Sequence, residues 1–230
     1  MSVVYAKSEG ITLVGGGVLE AKTLDRALLA APWLVAADGG ADTALALGRC
    51  PDLTVGDLDS LSDTLRAVLG PARLHRVETQ DDTDFDKALA AIAAPFVLAV
   101  GFSGGRLDHT LAAMNTLARN PGRCVILDTG RDLCCLLPPA LALSLSAGTR
   151  VSLFPLGPVA CTSAGLEWPV DGLAFTPLGR IGTSNRATGG EVRLTCDAPA
   201  MLLMVPPDAL ETLLSALSAA PPWPARVPAQ

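Results

Sequence analysis

Lysine, histidine and aromatic residues are scarce in this sequence. It contains three lysines (Lys7, Lys22 and Lys87) and two histidines, and aromatic residues make up 4% of the chain. The formal net charge of −6 argues against nucleic acid as a partner, because proteins that bind nucleic acids present basic patches to the phosphates. The sequence also lacks a G-x-x-x-x-G-K-[ST] motif, which excludes the P-loop kinases.

Paired cysteines with metal-binding spacing are absent as well. None of the six cysteines forms a C-x-x-C pair, so we expect buried, reduced thiols and neither a disulfide nor a zinc site. No membrane contact is expected, because the uncharged stretches 88–105 and 133–149 are interrupted by proline or glycine. The first ten residues lack the apolar core of a signal peptide. We therefore predict a cytoplasmic protein.

The negative charge is concentrated in one part of the chain. Residues 38–108 contain twelve acidic and six basic residues, whereas residues 1–37 and 109–230 are each neutral overall. Acidic residues usually form a solvated surface, but here they alternate with glycine and follow short apolar runs. This placement favours an acidic active site over a plain surface patch.

The two halves of the chain have different patterns. Short apolar runs alternate with helical segments up to about residue 130, which predicts an α/β domain over residues 1–130 with a doubly wound, mostly parallel sheet. After that point short strands are separated by Pro, Gly and Asp. This second pattern predicts a smaller all-β antiparallel sandwich over residues 131–230.

Two carboxylates, Asp57 and Asp59, follow the third predicted strand. Alternate side chains of an extended backbone share a face, and two carboxylates held together provide the oxygen ligands that Mg²⁺ prefers. The alternative is a turn in which Asp and Ser side chains bond their own backbone. The spacing alone does not separate these two interpretations.

A second group of acids, Asp81, Asp82 and Asp84, lies at the start of a predicted helix. Thr83 and Asp86 resemble a capping box, which accounts for one or two acids but not for all of them. The excess predicts a second contribution to a metal site. Lys87 lies one turn into this helix, where it could contact a phosphate or pair with Asp84.

A glycine-rich loop, Gly101 to His109, joins the fifth predicted strand to a helix. Glycines in such a loop let backbone N–H groups approach an anion at the helix start, and Arg106 adds a guanidinium for phosphate oxygens. Asp108 is the last acid of the cluster, and His109 is either a base or a structural hydrogen-bonding group. Because ligands bind at the carboxyl ends of parallel strands, the motifs together predict Mg²⁺-dependent transfer of phosphoryl or pyrophosphoryl groups.

The order of these motifs resembles that of the thiamine pyrophosphokinases. The segments are Asp38-Gly39-Gly40-Ala41, Gly56-Asp57-Leu58-Asp59-Ser60, Asp81-Asp82-Thr83-Asp84, Gly104-Gly105-Arg106-Leu107-Asp108-His109 and Gly182-Thr183-Ser184-Asn185. The resemblance extends from about Gly15 to Asn185 and covers both halves. It implies transfer of pyrophosphate from ATP to the hydroxyl of thiamine, giving thiamine diphosphate and AMP, with Mg²⁺ as cofactor. It also implies a homodimer.

The resemblance assigns roles to individual residues. It implies that the metal and the reacting phosphates are held by Asp57, Asp59, Asp81 and Asp84. It places ATP at Asp38, Gly39, Gly104, Gly105, Arg106 and Asp108. It places thiamine at Gln80, Trp168, Ser184 and Asn185. Phe102 and Ser103 depart from the family pattern, which often has smaller or different residues there.

Other functions remain open from the sequence. A pyrophosphokinase for another heteroaromatic alcohol, such as a hydroxymethylpterin, would need the same N-terminal half. A non-catalytic protein that binds a nucleotide or thiamine would keep the fold, although a binder needs no metal cluster. A metal-dependent phosphohydrolase would release phosphate without an acceptor.

Overall fold

A computed structural model describes residues 2–59, 61, 63–78 and 82–225, with only the backbone of Asp63 and Thr64. No helix in these ranges is long and apolar enough to cross a membrane. The chain divides into two compact units. The first contains the described residues up to Thr116 together with Leu127–Gly130, and the second contains Leu117–Ile126 and the described residues from Arg131 onward.

Strands and helices alternate up to Asp128, as the apolar pattern predicts. In chain order they are β1 (Tyr5–Ala6), β2 (Ile11–Val14), α1 (Ala21–Ala30), β3 (Trp33–Ala37), α2 (Gly40–Ala46), β4 (Leu53–Gly56), α3 (Asp63–Leu69), β5 (Leu74–Arg76), α4 (Asp84–Ala91), β6 (Ile92–Ala93), β7 (Val97–Val100), α5 (Leu107–Arg119) and β8 (Val125–Asp128). One turn of 3-10 helix, Pro71–Arg73, precedes β5.

The main sheet of the first unit is parallel. Strands β7, β2, β3, β4 and β5 lie side by side in that order, and each pairing is parallel. Strands β2, β4 and β7 are buried along their whole length, as expected when both faces of a parallel sheet are covered. β1 and β6 form a separate parallel pair. The predicted α/β architecture is confirmed.

The strand order reverses between β2 and β7. The chain proceeds from β2 outward through β3, β4 and β5, and then returns to the other side of β2. Ligands of open α/β sheets bind at such a switch point. The loops that follow β2 and β7 are in close contact here: the N–H of Gly17 donates to the carbonyl of Gly101 at 2.6 Å. A Cβ atom on Gly17 would lie 2.6 Å from that oxygen, so the contact requires glycine.

A buried ion pair joins α1 to the end of β8. The Arg26 guanidinium donates to both carboxylate oxygens of Asp128, with the shortest distance 2.7 Å. Asp128 is 2% exposed, and its Oδ1 also accepts from the N–H of Gly130 at 2.8 Å. A buried carboxylate is costly unless it is paired, so Arg26 holds α1 in place by balancing this charge.

The second unit is built from antiparallel strands. They are β9 (Leu133–Leu136), β10 (Ala140–Leu145), β11 (Arg150–Pro155), β12 (Val159–Ala164), β13 (Ala174–Phe175), β14 (Gly182–Arg186), β15 (Gly190–Cys196) and β16 (Met201–Val205), followed by α6 (Leu210–Ala219). One set has the order β14-β11-β16-β9 and the other β10-β15-β12-β13. Buried and exposed residues alternate in β10 and β15, as in strands with one face on a core. These strands confirm the antiparallel part of the predicted fold class.

One expectation about the cysteines is wrong. Cys161 and Cys196 are directly opposite each other on β12 and β15, with Cα atoms 4.3 Å apart, and form a disulfide. The sequence separation of 35 residues gave no sign of this pairing, because it depends on strand register. Cys134 and Cys135 are buried free thiols as expected, whereas Cys50 is a free thiol on the surface and not buried. Burial raises the pKa of Cys134 to about 12.

Candidate active site

A pocket of about 780 Å³ lies at the switch point of the first unit. Its lining comes from the loops after β2, β3, β4 and β7 and from the starts of α4 and α5. The residues are Gly16, Gly17, Val18, Ala37, Asp38, Gly39, Asp57, Asp82, Thr83, Asp84, Phe85, Lys87, Gly101, Phe102, Gly104, Gly105, Arg106, His109, Ala112 and Ala113. The fold thus gathers the acidic and glycine-rich motifs into one cavity.

Lys87 is a buried cation in this pocket, with 4% of its surface exposed. Its Nζ lies 3.2 Å from Oδ1 of Asp84, one helical turn earlier, and 4.0 Å from Oδ2 of Asp57 at the end of β4. Two carboxylates from separate elements therefore converge on one positive charge. This donor chemistry fits a hard divalent cation, which is bound by carboxylate oxygens.

Asp59 is placed differently from Asp57. The extended backbone expected between them is interrupted, because Leu58 has a φ of 63°, and the N–H of Asp59 donates to Oδ1 of Asp57 at 3.2 Å. Asp57 lines the pocket, whereas Asp59 is not among the lining residues. The Asp59 side chain is 76% exposed and lies 3.7 Å from Nη2 of Arg76. The backbone-bonding turn is therefore present, and it brings one of the two carboxylates to the pocket.

The start of α4 combines a cap with two acidic residues that line the pocket. The Oγ1 of Thr83 accepts from the N–H of Asp86 at 3.2 Å and donates to Oδ2 of Asp86 at 2.8 Å, which confirms the predicted link between cap and third helical residue. Asp82 and Asp84 line the pocket. Gln80 and Asp81 lie outside the described residues. Among the residues that are described, no three potential metal-ligating side chains form a group.

Asp38 is fixed at the end of β3 in a left-handed conformation, with a φ of 41°. Its N–H donates to the carbonyl of Val55 on β4 at 2.8 Å. A Cβ atom on Gly56 would lie 2.8 Å from Cβ of Asp38, so glycine at that position makes room for the carboxylate. Asp38 and Gly39 both line the pocket.

The glycine loop after β7 carries an ordered guanidinium. Gly104 and Gly105 have φ values of 77° and 72°, which glycine adopts without strain. Arg106 donates from Nε to Oδ1 of Asp108 at 3.1 Å and from Nη2 to Oδ2 at 2.5 Å. This hydrogen bonding raises the pKa of Arg106 and lowers the pKa of Asp108. Arg106 lines the pocket and Asp108 does not, so Asp108 is linked to the pocket through its hydrogen bonds to Arg106.

The apolar wall of the pocket was missed by the sequence reasoning. The rings of Phe85 and Phe102 stack with centroids 4.2 Å apart, and Val18, Ala112 and Ala113 also line the cavity. The available signal was a phenylalanine inside a glycine-rich loop, noted only as a departure from the family pattern. A pocket with an apolar wall and a charged end suits a ligand with an aromatic base and a phosphate chain.

A second pocket, of about 300 Å³, lies in the second unit. Asn185 is 5% exposed, and its amide accepts from the N–H of Trp168 at 3.2 Å and donates to the carbonyl of Trp168 at 2.7 Å. Both residues line this pocket. Ser184 has a φ of 64°, donates from its N–H to Oγ of Ser152 at 3.0 Å, and is not among the lining residues. Trp168 is 53% exposed, so its ring is available to a ligand.

Comparison with known proteins identifies the family. A sequence model of the "Thiamin pyrophosphokinase, catalytic domain" matches residues 24–126. A second, of the "Thiamin pyrophosphokinase, vitamin B1 binding domain", matches residues 141–201. Together the two matches span more than half of the chain. The chain belongs to the thiamine pyrophosphokinase family.

Individual thiamine pyrophosphokinases support this membership. Thiamine pyrophosphokinase 1 of Oryza sativa subsp. japonica is 28% identical over 167 residues, which cover 64% of this chain and 63% of the rice protein. Thiamine pyrophosphokinase 1 of Arabidopsis thaliana is 31% identical over 168 residues, covering 64% of this chain and 62% of the relative. The matched segment thus spans less than two thirds of the length of these relatives.

The fold is also shared with solved thiamin pyrophosphokinases. The enzyme from Candida albicans superposes with a TM-score of 0.72 at 18% identity, covering 86% of this chain and 89% of that chain. The catalytic-domain match contains Asp38, Asp57, Asp84 and Arg106, and the vitamin B1-binding match contains Trp168 and Asn185. Residues predicted for the first pocket therefore fall in the catalytic-domain match, and residues predicted for the second pocket fall in the vitamin B1-binding match. The predicted family is confirmed.

Proposed function

We propose that this protein is an ATP- and Mg²⁺-dependent thiamine pyrophosphokinase. It transfers the terminal pyrophosphoryl group of ATP to the hydroxyl of thiamine and releases thiamine diphosphate and AMP. The observation that carries the proposal is the agreement between the two domain matches and the two pockets. Apart from Gly16, Gly17 and Val18, the lining of the acidic pocket lies within the catalytic-domain match, and the lining of the Trp168 pocket lies within the vitamin B1-binding match.

The metal would be held by carboxylates of the first pocket. Asp57 and Asp84 already converge on one cationic position, and the proposal adds Asp59 and Asp81 to this set. When bound, the cation supplies neutralisation of phosphate charge. That need is large here, because the acceptor hydroxyl must approach a highly anionic phosphate chain.

The nucleotide would lie along the same pocket. Its phosphates would contact Gly104, Gly105 and Arg106 at the start of α5, where backbone N–H groups favour anions. Asp108 would hold the Arg106 guanidinium in position, and Asp38 and Gly39 would complete the site from the loop after β3. The base would pack on the apolar wall formed by Phe102, Val18 and the alanines of α5.

The reaction needs little covalent help from the protein. The hydroxyl oxygen of thiamine attacks the β-phosphorus of ATP, the bond from that phosphorus to the bridging oxygen of AMP breaks, and the hydroxyl proton is released. Catalysis then depends on alignment of the two substrates and on balancing of charge. Lys87 and Arg106 provide the positive charge that lies in the pocket lining.

Thiamine would be recognised by residues of the second unit. Its cationic thiazolium ring suits the exposed face of Trp168, since cations are attracted to indole rings. Asn185 would act by holding the Trp168 backbone, and Ser184 would supply a polar contact. Gln80, which precedes the second unit in the chain, stays in the proposed thiamine set on the family resemblance. The proposal also includes a homodimer, a cytoplasmic location and the domain boundaries 1–130 and 131–230.

The test is an assay of the purified protein with ATP, Mg²⁺ and thiamine. Release of AMP that requires thiamine, with formation of thiamine diphosphate, is the expected result. Formation of ADP with thiamine monophosphate, or absence of thiamine-dependent turnover, would reject the proposal. AMP release with a hydroxymethylpterin in place of thiamine, and none with thiamine, would move the assignment to another acceptor. Nucleotide or thiamine binding without turnover would indicate a non-catalytic member of the family.

A further inference from the structure

We propose that Lys87 discriminates against bare divalent cations and makes the pocket receive the metal together with the nucleotide. The proposal rests on the proposed function, because it concerns how the metal–nucleotide substrate enters the site. It assigns to Lys87 a positioning and selecting role that goes beyond neutralising phosphate charge.

The first support is the burial of the Lys87 ammonium. Lys87 is 4% exposed, so little water is available to solvate its charge. Its compensation comes from Asp84 at 3.2 Å and Asp57 at 4.0 Å. A buried charge is stable only with such partners, and the three groups therefore form one electrostatic unit.

The second support is the position of this unit. The ammonium occupies the point on which the two carboxylates converge, which is also where a divalent cation would find its oxygen ligands. A bare cation that approaches Asp57 and Asp84 meets a like charge within a few ångströms, where repulsion is weakly screened. Lys87 therefore weakens the binding of a metal that arrives alone.

The third support is the charge of the substrate complex. A nucleoside triphosphate with one divalent cation carries a net negative charge, so the same ammonium attracts it. Arg106 is the other cation of the lining, but it is 69% exposed and engaged by Asp108. The charge of Lys87 is buried, so its interaction with a bound ion is less screened than that of Arg106. Lys87 therefore contributes more to the difference in affinity between the bare cation and the metal–nucleotide complex.

The two effects have opposite signs, and this makes the proposal testable. Lys87→Met removes the charge while keeping an unbranched side chain. With Mn²⁺ as the probe, we expect the nucleotide-free variant to bind the ion about tenfold more tightly than the parent protein, since the repelling charge is gone. We expect the Mn²⁺ complex of α,β-methylene ATP to bind about tenfold more weakly, since an attracting charge is lost. Electron paramagnetic resonance of free Mn²⁺ and titration calorimetry measure these two affinities.

Matched variants separate charge from structure. Lys87→Arg keeps the charge and should leave the order of the two affinities as in the parent protein. Lys22→Met removes a lysine that is 71% exposed and pairs with Glu20, and it should change neither affinity. If Lys87→Met does not fold by circular dichroism, Lys87→Gln keeps a polar group at the position and carries the same expectation.

Parallel weakening of both affinities would show that Lys87 only supports the structure, and the proposal would be overturned. Tight Mn²⁺ binding by the parent protein without nucleotide, unchanged in the variant, would also overturn it. These results are distinct from failure of the proposed function. If the parent protein releases thiamine-dependent AMP but the opposite shifts are absent, only the role of Lys87 falls. If the parent protein binds no metal–nucleotide complex, both proposals fall.

Discussion

Arg106 and Asp108 form a two-point hydrogen-bonded pair at the start of α5, with Nε to Oδ1 at 3.1 Å and Nη2 to Oδ2 at 2.5 Å. Only the arginine lines the pocket. The carboxylate is therefore placed to restrict the guanidinium to one orientation, which would lower the cost of ordering a long side chain when the proposed phosphate binds.

Asp108→Asn should raise the KM for ATP about fivefold with a smaller change in kcat, because the guanidinium loses its fixed orientation. Steady-state kinetics measures both parameters. Glu191→Gln is the matched control, since Glu191 pairs with Arg193 at the same two-residue spacing on β15, outside the acidic pocket. An unchanged KM in Asp108→Asn would remove the orienting role.

The Arg106–Asp108 pair should not make the KM for ATP depend on pH near neutrality. The Arg106 hydrogen bond lowers the pKa of Asp108, so the pair is fully formed above the ordinary aspartate pKa of about 3.9 and is lost only as the pH falls through the lowered value. The KM for ATP of the parent protein should therefore not change through this pair between about pH 5 and pH 8. A change, within that pH range, in the ratio of the KM of Asp108→Asn to the KM of the parent protein would contradict this prediction.

Asp57→Asn should reduce kcat by about 100-fold or more, because it removes a carboxylate from the proposed cation position. Asp59→Asn should also remove most activity if Asp59 is a metal ligand as proposed. Asp42→Asn, an exposed acid on α2, controls for loss of one negative charge. Thermal melting of Asp59→Asn and Asp42→Asn should be close to that of the parent protein, whereas Asp57→Asn should melt somewhat lower, because it removes one partner of the buried Lys87 charge. Full activity of Asp59→Asn would limit the metal assignment to Asp57, Asp84 and Asp81.

Substitutions at Asn185 and Trp168 should have different effects in the second unit: the first should lower stability, and the second should weaken thiamine binding. Asn185→Ala removes a buried amide with three backbone hydrogen bonds and should lower the free energy of unfolding by about 2 kcal/mol. Trp168→Ala should raise the KM for thiamine about tenfold, through loss of a cation–π contact, with little effect on stability. Denaturant unfolding and thiamine kinetics test the pair. Equal effects of both variants on stability would show that the Trp168 ring is structural.

The ion pairs of α1 give a stability prediction with an internal control. Arg26→Met leaves the buried Asp128 carboxylate without its cation and should destabilise the protein by about 3 kcal/mol. Arg49→Met breaks the Arg49–Asp25 pair, whose side chains are 50% and 51% exposed, and should cost less than about 1 kcal/mol. Urea unfolding of the two variants provides the comparison. Similar losses would mean that burial of Asp128 does not govern the energetics.

Local patterns predicted much of the fold. Continuous apolar runs predicted the buried parallel strands, short runs separated by Pro, Gly and Asp predicted the antiparallel strands, and Thr83 with Asp86 predicted the start of α4. These features depend on neighbours in the sequence. The order of acidic and glycine motifs also predicted which segments meet, because strand ends in a parallel sheet share one edge.

Features that depend on tertiary contacts were not predictable in the same way. The left-handed Leu58 separates Asp57 from Asp59, and nothing in their spacing announces it. The Cys161–Cys196 disulfide depends on the register of two strands distant in sequence. The burial of Lys87 depends on how α4 packs against β4, so the sequence left two partners open for this side chain. The stacked Phe85 and Phe102 likewise come from separate elements.

The position of β7 beside β2 has a consequence for the order in which the first unit folds. Strands β2 to β5 can pair in the order in which they are synthesised, but β7 must return to the free edge of β2, where Ile11 is opposite Val97. Such long-range pairing is a slow class of folding event. The contact between Gly17 and Gly101 forms only with that pairing, so a nascent chain that ends before β7 has no complete pocket. Acquisition of nucleotide binding should therefore report the closing step of folding of this unit.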